Sequence, residues 1–359
     1  MRMRGLEEKG PTAILWDIMI RLNTWKTFKL CLISVACLTM LSVFDGGDII
    51  LDTWTWFQQN LLYSFTSHII ILNSSSSAIH HRQALPYPHP YRFLINQPNK
   101  CLARSPFLVL LVVGDTHNVK SRDIIRTTWG NVSNYGDIDI VSLFLVGISP
   151  VMTSAIQNLL EEESTVYGDI VQQDFLDSYN NLTLKTLMGM EWITKFCPNA
   201  SYVMKVDSDV FLNVDYLVHQ LLHPEFPPQT NFLTGYIVFN SGPIRIKNSK
   251  WYISEEVYPG NIYPPYPSGP AYVFSADIAK KIYKVAQDLL VFGIEDAFIG
   301  ICLYKLNILP TTAPKYVFHG QKIDYDPCRF SSLVMVHHYK DIELKNIWED
   351  FWGKRTFKC

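Results

Sequence analysis

The chain has little that would commit it to a nucleic acid or to disorder. Its 31 Lys and Arg stand against 33 Asp and Glu, a formal net charge of −2. No basic excess is therefore available to neutralise a phosphate backbone. Like charges are not gathered into blocks that would keep a tail solvated. No period repeats along the sequence, which excludes solenoids and arrays, and the one low-complexity tract is Ser74–Ser77. A glycine-rich loop of the kind that cradles phosphates on backbone N–H groups is also missing, which counts against a generic nucleotidase. Finally, no uncharged apolar run reaches the roughly 20 residues that an average bilayer requires.

What is present is a chain of 359 residues, 48% of them hydrophobic, enough for one large domain or two small ones. The nearest thing to a membrane span is Leu30–Phe44, 15 uncharged residues. Lys26 and Lys29 can snorkel at its start, and thinner bilayers accept shorter spans. Arg2, Arg4, Lys9, Arg21, Lys26 and Lys29 precede it, and Asp45, Asp48 and Asp52 follow. That asymmetry places the N-terminus in the cytosol, and the residues before the run are too many for an ordinary signal-peptide n-region. The expected layout is a cytosolic tail over 1–29, a signal-anchor transmembrane helix over 30–44, a lumenal stem over 45–100 and a folded body over 101–359. Ile49–Leu72 is apolar too, but Asp52, Gln58, Gln59 and His68 interrupt it, so it reads as part of the stem. Sequons at Asn73, Asn131, Asn181 and Asn199 agree with a lumenal body. So do five cysteines beyond the anchor, Cys101, Cys197, Cys302, Cys328 and Cys359, enough for two disulfides and one left over. Cys31 and Cys37 lie inside the apolar run and read as packing or lipid-facing residues.

Within the body, Phe107–Val113 (FLVLLVV) is a short continuous apolar run, the pattern of a strand buried on both faces. A helical stretch ending at Gly130 follows, then strand VSLFLVG, helix TSAIQNLLEEE, a short strand in YGDIVQQDF, helix NLTLKTLMGMEWITKF and strand YVMKVD. Alternation of this kind predicts an α/β fold with helices on both faces of a mostly parallel central sheet. Ligands of such sheets bind at the carboxyl ends of the strands. Asp207-Ser208-Asp209 stands at one of those ends. Two carboxylates that close repel unless something cationic faces them. Lys205 is one candidate and a divalent metal bridging nucleotide phosphates is another.

The stretches RDIIRTTWG, LFLVG, YGDIVQQDFLDSYNNLTLKT, YVMKVDSDVFLN, NFLTGY, SKWYISEEVYPGNIYPPYPSGPAYVFS and IEDAFIGICL resemble, in order and spacing, the β1,3-galactosyltransferase family. The likeness runs from about Cys101 to Trp352. It implies a GT-A-type nucleotide-sugar-binding fold, Mn²⁺ as cofactor, UDP-galactose as donor, and inversion at the anomeric carbon. It also implies an oligosaccharide acceptor on a glycoprotein or glycolipid, with terminal GlcNAc-type sugar, and a single-pass type II place in the Golgi membrane. By the same likeness Asp209, Asp207 and His337 are metal ligands. Arg122, Arg126, Thr128, Trp129, Asp174, Lys185, Asp207 and Ser208 bind the donor nucleotide, with Asp177 in the same block. Asp296 is the base that takes the proton of the acceptor hydroxyl. The disulfides implied are Cys101–Cys197 and Cys302–Cys328, leaving Cys359 free.

Each of these residues also has a purely structural reading. Arg122 and Arg126, at i and i+4, fit a solvated helix face, and Trp129 fits a core. Asp174 and Asp177 fit a turn or helix cap, Glu295-Asp296 a helix start. Lys205 fits an ion pair with Asp207. The chain departs from the family pattern at Pro267, Pro270, Ala271 and Ala297. Proline removes a donor and fixes φ, and alanine does not take positive φ freely. Those departures leave UDP-GlcNAc or UDP-GalNAc as alternative donors, and a catalytically silent glycan-binding or chaperone relative as the alternative to an enzyme.

Overall fold

The computed structural model describes residues 91–354 and Cys359. The expected cytosolic tail, the signal-anchor, the stem up to residue 90 and the Asn73 sequon lie outside the described residues. Among the described residues no helix is long and apolar enough to cross a membrane.

The body is built on an eight-stranded sheet ordered β1-β4-β3-β2-β5-β8-β7-β9. The strands are β1 (Phe93–Ile95), β2 (Leu108–Val113), β3 (Ile140–Ile148), β4 (Ile170–Leu176), β5 (Tyr202–Asp207), β7 (Leu233–Val238), β8 (Tyr266–Ser275) and β9 (Thr311–Thr312). The four central strands β4, β3, β2 and β5 run parallel, as the sequence alternation requires. β1 pairs antiparallel with β4, and β8 antiparallel with both β5 and β7. The sheet is thus mixed rather than mostly parallel. Its second half departs from the βαβ pattern because β8 follows β7 with no helix over 239–265 and lies antiparallel to it, whereas β9, reached through helices between 276 and 305, runs parallel to β7.

The unbroken apolar character of β2 has a direct cause. Val109, Leu111 and Val113 enter one core and Leu108, Leu110 and Val112 the other. On the first face lie α3 (Leu182–Phe196), α4 (Ala276–Val285) and α5 (Glu295–Lys305). On the second lie α1 (Val119–Thr127) and α7 (Asp341–Lys354), joined by a three-stranded sheet of β6 (Val210–Leu212), β10 (Phe318–His319) and β11 (Met335–His337). The outer helix α2 (Thr153–Tyr167) contributes Leu160 to that same core. At roughly 25 cal/mol per Å² of apolar surface, these two layers are the main source of stability.

Cys101 is joined to Cys197, the C-cap of α3, as the resemblance implies. The second disulfide corrects the expectation: Cys328, on the short helix α6 (Pro327–Ser331), bonds Cys359 and not Cys302. Cys302 sits on the buried face of α5 in the first core, whereas Phe330 beside Cys328 belongs to the second. The sheet lies between them. Apolar burial pushes the free Cys302 thiol well up.

Candidate active-site cleft

Register brings the chemistry to one edge. Parallel pairing sets Val113 opposite Asp207, so the loop that begins at Gly114 and the Asp207-Ser208-Asp209 turn leave the sheet side by side. The Ser208 N–H donates to Val113 O at 3.0 Å. Antiparallel pairing of β6 with β11 sets His337 opposite Val210, which delivers the histidine to Asp209. α5 starts at Glu295 and brings Asp296 into the same region. Together these segments line a cleft of about 980 Å³, with Lys185, Ser208, Tyr179 and Trp251 among its walls.

One end of the cleft collects metal-ligand chemistry. His337 Nε2 lies 3.2 Å from Asp209 Oδ1, and His338 Nδ1 is 3.9 Å from Asp209 Oδ2. One donor atom from each residue falls within 4.8 Å of the others. Burial alone would raise the Asp209 carboxyl, but the hydrogen bond and charge of His337 outweigh it and hold it below its usual value. A carboxylate beside two imidazoles is a donor set that suits a divalent transition metal.

Asp207 is engaged elsewhere. Its Oδ1 accepts from Lys205 Nζ at 2.6 Å, and the same ammonium donates to Gly269 O at 2.5 Å. Lys205 is 3% exposed and also lies 3.8 Å from Glu295. Glu295 in turn accepts the Tyr272 hydroxyl at 2.6 Å. Burial, helped by the charges of Asp296 and Asp207 and opposed by Lys205, lifts the Glu295 carboxyl to about 7. Burial also raises Asp296, against the Ala297 and Gly269 N–H groups that donate to it.

The family model described as Galactosyltransferase matches residues 120–314. Beta-1,3-galactosyltransferase 1 of Mus musculus is 41% identical over 333 residues, which is 91% of this chain and 99% of that one. Beta-1,3-galactosyltransferase 2 of Homo sapiens is 42% identical over 289 residues, 80% of this chain and 68% of the relative. This chain belongs to the β1,3-galactosyltransferase family. As a member of the galactosyltransferase family it is a glycosyltransferase, whose family implies a nucleotide-sugar donor and a glycan acceptor. Among solved structures, the galactosyltransferase LgtC with donor and acceptor sugar analogues is 12% identical, covering 70% of this chain and 97% of that one, with a TM-score of 0.34.

In this galactosyltransferase the residues picked out from sequence divide into two groups. Asp207, Ser208, Asp209, Lys185, His337 and Asp296 all line the cleft. Lys185 Nζ donates to Gly114 O at 2.6 Å and to Asp177 Oδ1 at 2.7 Å. Asp177 also accepts from Thr116 Oγ1 and the Gly147 N–H, so it ties the loop after β2, the end of β3 and α3 together rather than capping a helix.

Arg122, Arg126, Thr128, Trp129 and Asp174, expected at the nucleotide, are not among the cleft-lining residues and each is engaged with protein groups. Arg122 is 2% exposed and grips Glu163 with two bonds, at 2.8 and 2.6 Å, while Nη1 donates to Asp115 O. Arg126 is held by Asp169, Asp123 and Glu163 and lies over the Tyr167 ring at 3.8 Å. Thr128 Oγ1 donates back to Ile124 O. Trp129 is wholly buried and donates to Val210 O at 2.9 Å. Asp174 meets the backbone and guanidinium of Arg92. Arg122 and Trp129 act one layer behind the cleft: they fasten the 115–116 loop and β6 beside Asp209.

Three features were not picked out from sequence. His338 repeats the identity of its neighbour, which was the available signal. Trp251 donates Nε1 to the Tyr179 hydroxyl at 2.9 Å across the cleft wall, joining segments 72 residues apart. Asp115 and Asn118 line the cleft ahead of the arginine block. Of the departures from the family pattern, Ala271 pairs with Val206 in extended strand and is not among the positive-φ residues. Pro270 lies where the β7–β8 ladder shifts register, a place that needs no N–H from it.

Proposed function

We propose that the protein transfers galactose from UDP-galactose, in β1,3 linkage and with inversion, to the 3-hydroxyl of a terminal GlcNAc-type sugar. In this reading the body is a GT-A-type fold on the lumenal side of the Golgi membrane, with Mn²⁺ as cofactor and a glycoprotein or glycolipid glycan as acceptor. The observation that carries it is the meeting of Asp209, His337, Lys185 and Asp296 in one cleft at the carboxyl edge of the parallel strands.

Asp209 and His337 would hold the Mn²⁺; their oxygen and nitrogen donors already stand 3.2 Å apart. When bound, the metal supplies positive charge to the diphosphate leaving group. Lys185, fixed by Asp177, adds a second positive charge at the Gly114 end. Asp296 takes the proton of the acceptor hydroxyl as that oxygen attacks the donor sugar. Its raised pKa makes it a better base, and its place at the start of α5 orients it. The Trp251–Tyr179 pair offers an aromatic wall to an acceptor ring.

The test is UDP release by the full-length protein with Mn²⁺, a GlcNAc-terminated acceptor and a panel of UDP-sugars. Acceptor-dependent release with UDP-galactose alone is expected. Asp296→Asn should lower kcat by about 10²–10⁴-fold while UDP still protects the protein against heat. Release with none of the donors would overturn the reading for this acceptor. Release with UDP-GlcNAc or UDP-GalNAc instead would reassign the donor.

A further inference from the structure

His338 stands next to the histidine that the sequence picks out, and its backbone is unusual. Its φ is +69°, a left-handed value that side chains other than glycine and asparagine rarely adopt. Strain of this kind persists where surrounding structure imposes it and clusters at functional sites. Here the surroundings are identifiable. The Tyr339 N–H donates to Asp209 O at 3.0 Å, so the strand end after β11 is fastened to the Asp207-Ser208-Asp209 turn. The His338 ring then stacks on His337 with centroids 3.7 Å apart and planes 22° apart. That arrangement carries Nδ1 to 3.9 Å from the free oxygen of Asp209, the one His337 does not touch. In ordinary extended backbone, successive side chains point to opposite faces. The positive φ is what lets two adjacent histidines face one carboxylate.

Asp207, the other acid of the motif, has its carboxylate on a buried ammonium instead. From these contacts we propose that His338 is the third protein ligand of the metal, so the site is one carboxylate and two imidazoles rather than two carboxylates and one imidazole. The proposal rests on the reading above that Asp209 and His337 bind Mn²⁺. It has a consequence for metal choice. Hard, strongly hydrated Mg²⁺ prefers oxygen donors, whereas Mn²⁺ and Co²⁺ accept imidazole. Replacing an acid by a second imidazole therefore shifts the site away from Mg²⁺. It also lowers the negative charge that the metal carries into contact with the diphosphate.

The test is pulsed electron paramagnetic resonance of Mn²⁺ bound to the full-length protein with UDP, which counts coupled imidazole nitrogens. Two are expected in the wild type and one in His338→Gly, a residue suited to the positive φ. His338→Gln serves as a second variant that keeps a side chain. In both, Mn²⁺ affinity should fall about tenfold or more while Mg²⁺ affinity changes by less than about threefold. Thermal unfolding confirms that each variant is folded. One nitrogen in the wild type, unchanged in the variants, overturns the role of His338 and leaves Asp209 and His337 as ligands. No coupled nitrogen in a protein that still binds UDP would overturn both the third ligand and the metal reading beneath it.

Discussion

An arginine that is 2% exposed, with four of its five N–H donors on Glu163 and the Asp115 and Thr116 carbonyls, is committed to protein groups rather than to a nucleotide. Arg122 therefore contributes to folding. Its removal leaves Glu163 with Arg126 as the remaining partner, 2.7 Å away, so the cost falls at or below the lower end of the roughly 3–5 kcal/mol of a fully broken buried pair. Arg122→Ala is expected to lose stability of that size in denaturant unfolding. Once folded at low temperature, it should bind UDP about as well as the wild type. A nucleotide-contacting arginine would give the reverse result. Glu295 makes a second prediction at this scale. Its carboxyl moves from 4.5 in the unfolded chain to about 7 in the folded one. Below 4.5 both states hold the proton and the shift has no effect. Between 4.5 and 7 the unfolded chain ionises first, so stability falls as pH rises, by on the order of 3 kcal/mol, and is flat above. Raised Asp296 adds in the same direction. Glu295→Gln should make the pH dependence of unfolding shallower across that window, an outcome that equilibrium denaturation at a series of pH values would register.

At the scale of elements, Asp296, the proposed base, is placed by how closely α5 approaches β8. Gly300 permits that approach: a Cβ there would come within 2.5 Å of the Tyr266 Cβ and 3.0 Å of Pro265 O. Both neighbours are near their own backbone and cannot swing aside. Gly300→Ala should push the helix from the strand, at a cost of about 1–3 kcal/mol. Because Asp296 rides on the first turn of the same helix, kcat should fall with the melting temperature. Loss of stability with unchanged kcat would mean that the N-terminal turn is positioned independently of Gly300. The pairing of β6 with β11 has the matching role at the metal end, since a one-residue slip would turn His337 away from Asp209.

For the whole molecule, the Cys101–Cys197 bond closes a sequence separation of 96 residues and ties the approach to β2 to the end of α3. Loops of that length carry the larger disulfide contributions. The double variant Cys101→Ser, Cys197→Ser is expected to lose about 2–5 kcal/mol, measured by urea unfolding, with the cleft otherwise intact in the folded fraction. Much of this architecture was legible beforehand. A short continuous apolar run is the pattern of a strand buried on both faces, and strand–helix alternation favours parallel return, so β2 to β5 and the motif at the strand end followed from local pattern. The i, i+4 spacing of Arg122 and Arg126 fixed that they share a helix face. It said nothing of whether that face meets water, a nucleotide or Glu163, because that depends on α2, which packs from elsewhere in the chain. Lys205 and a metal were both candidates to face the acids of the motif, with Lys205 readable as a partner of Asp207; folding put Asp207 on the lysine and Asp209 beside the histidines. Cysteine pairing was open for the same reason, since the sheet that separates Cys302 from Cys328 does not exist until the chain has folded. Local periodicity determined the elements and the edge at which chemistry occurs. Long-range register and burial decided which side chain meets which, because those contacts join residues that sequence spacing does not relate.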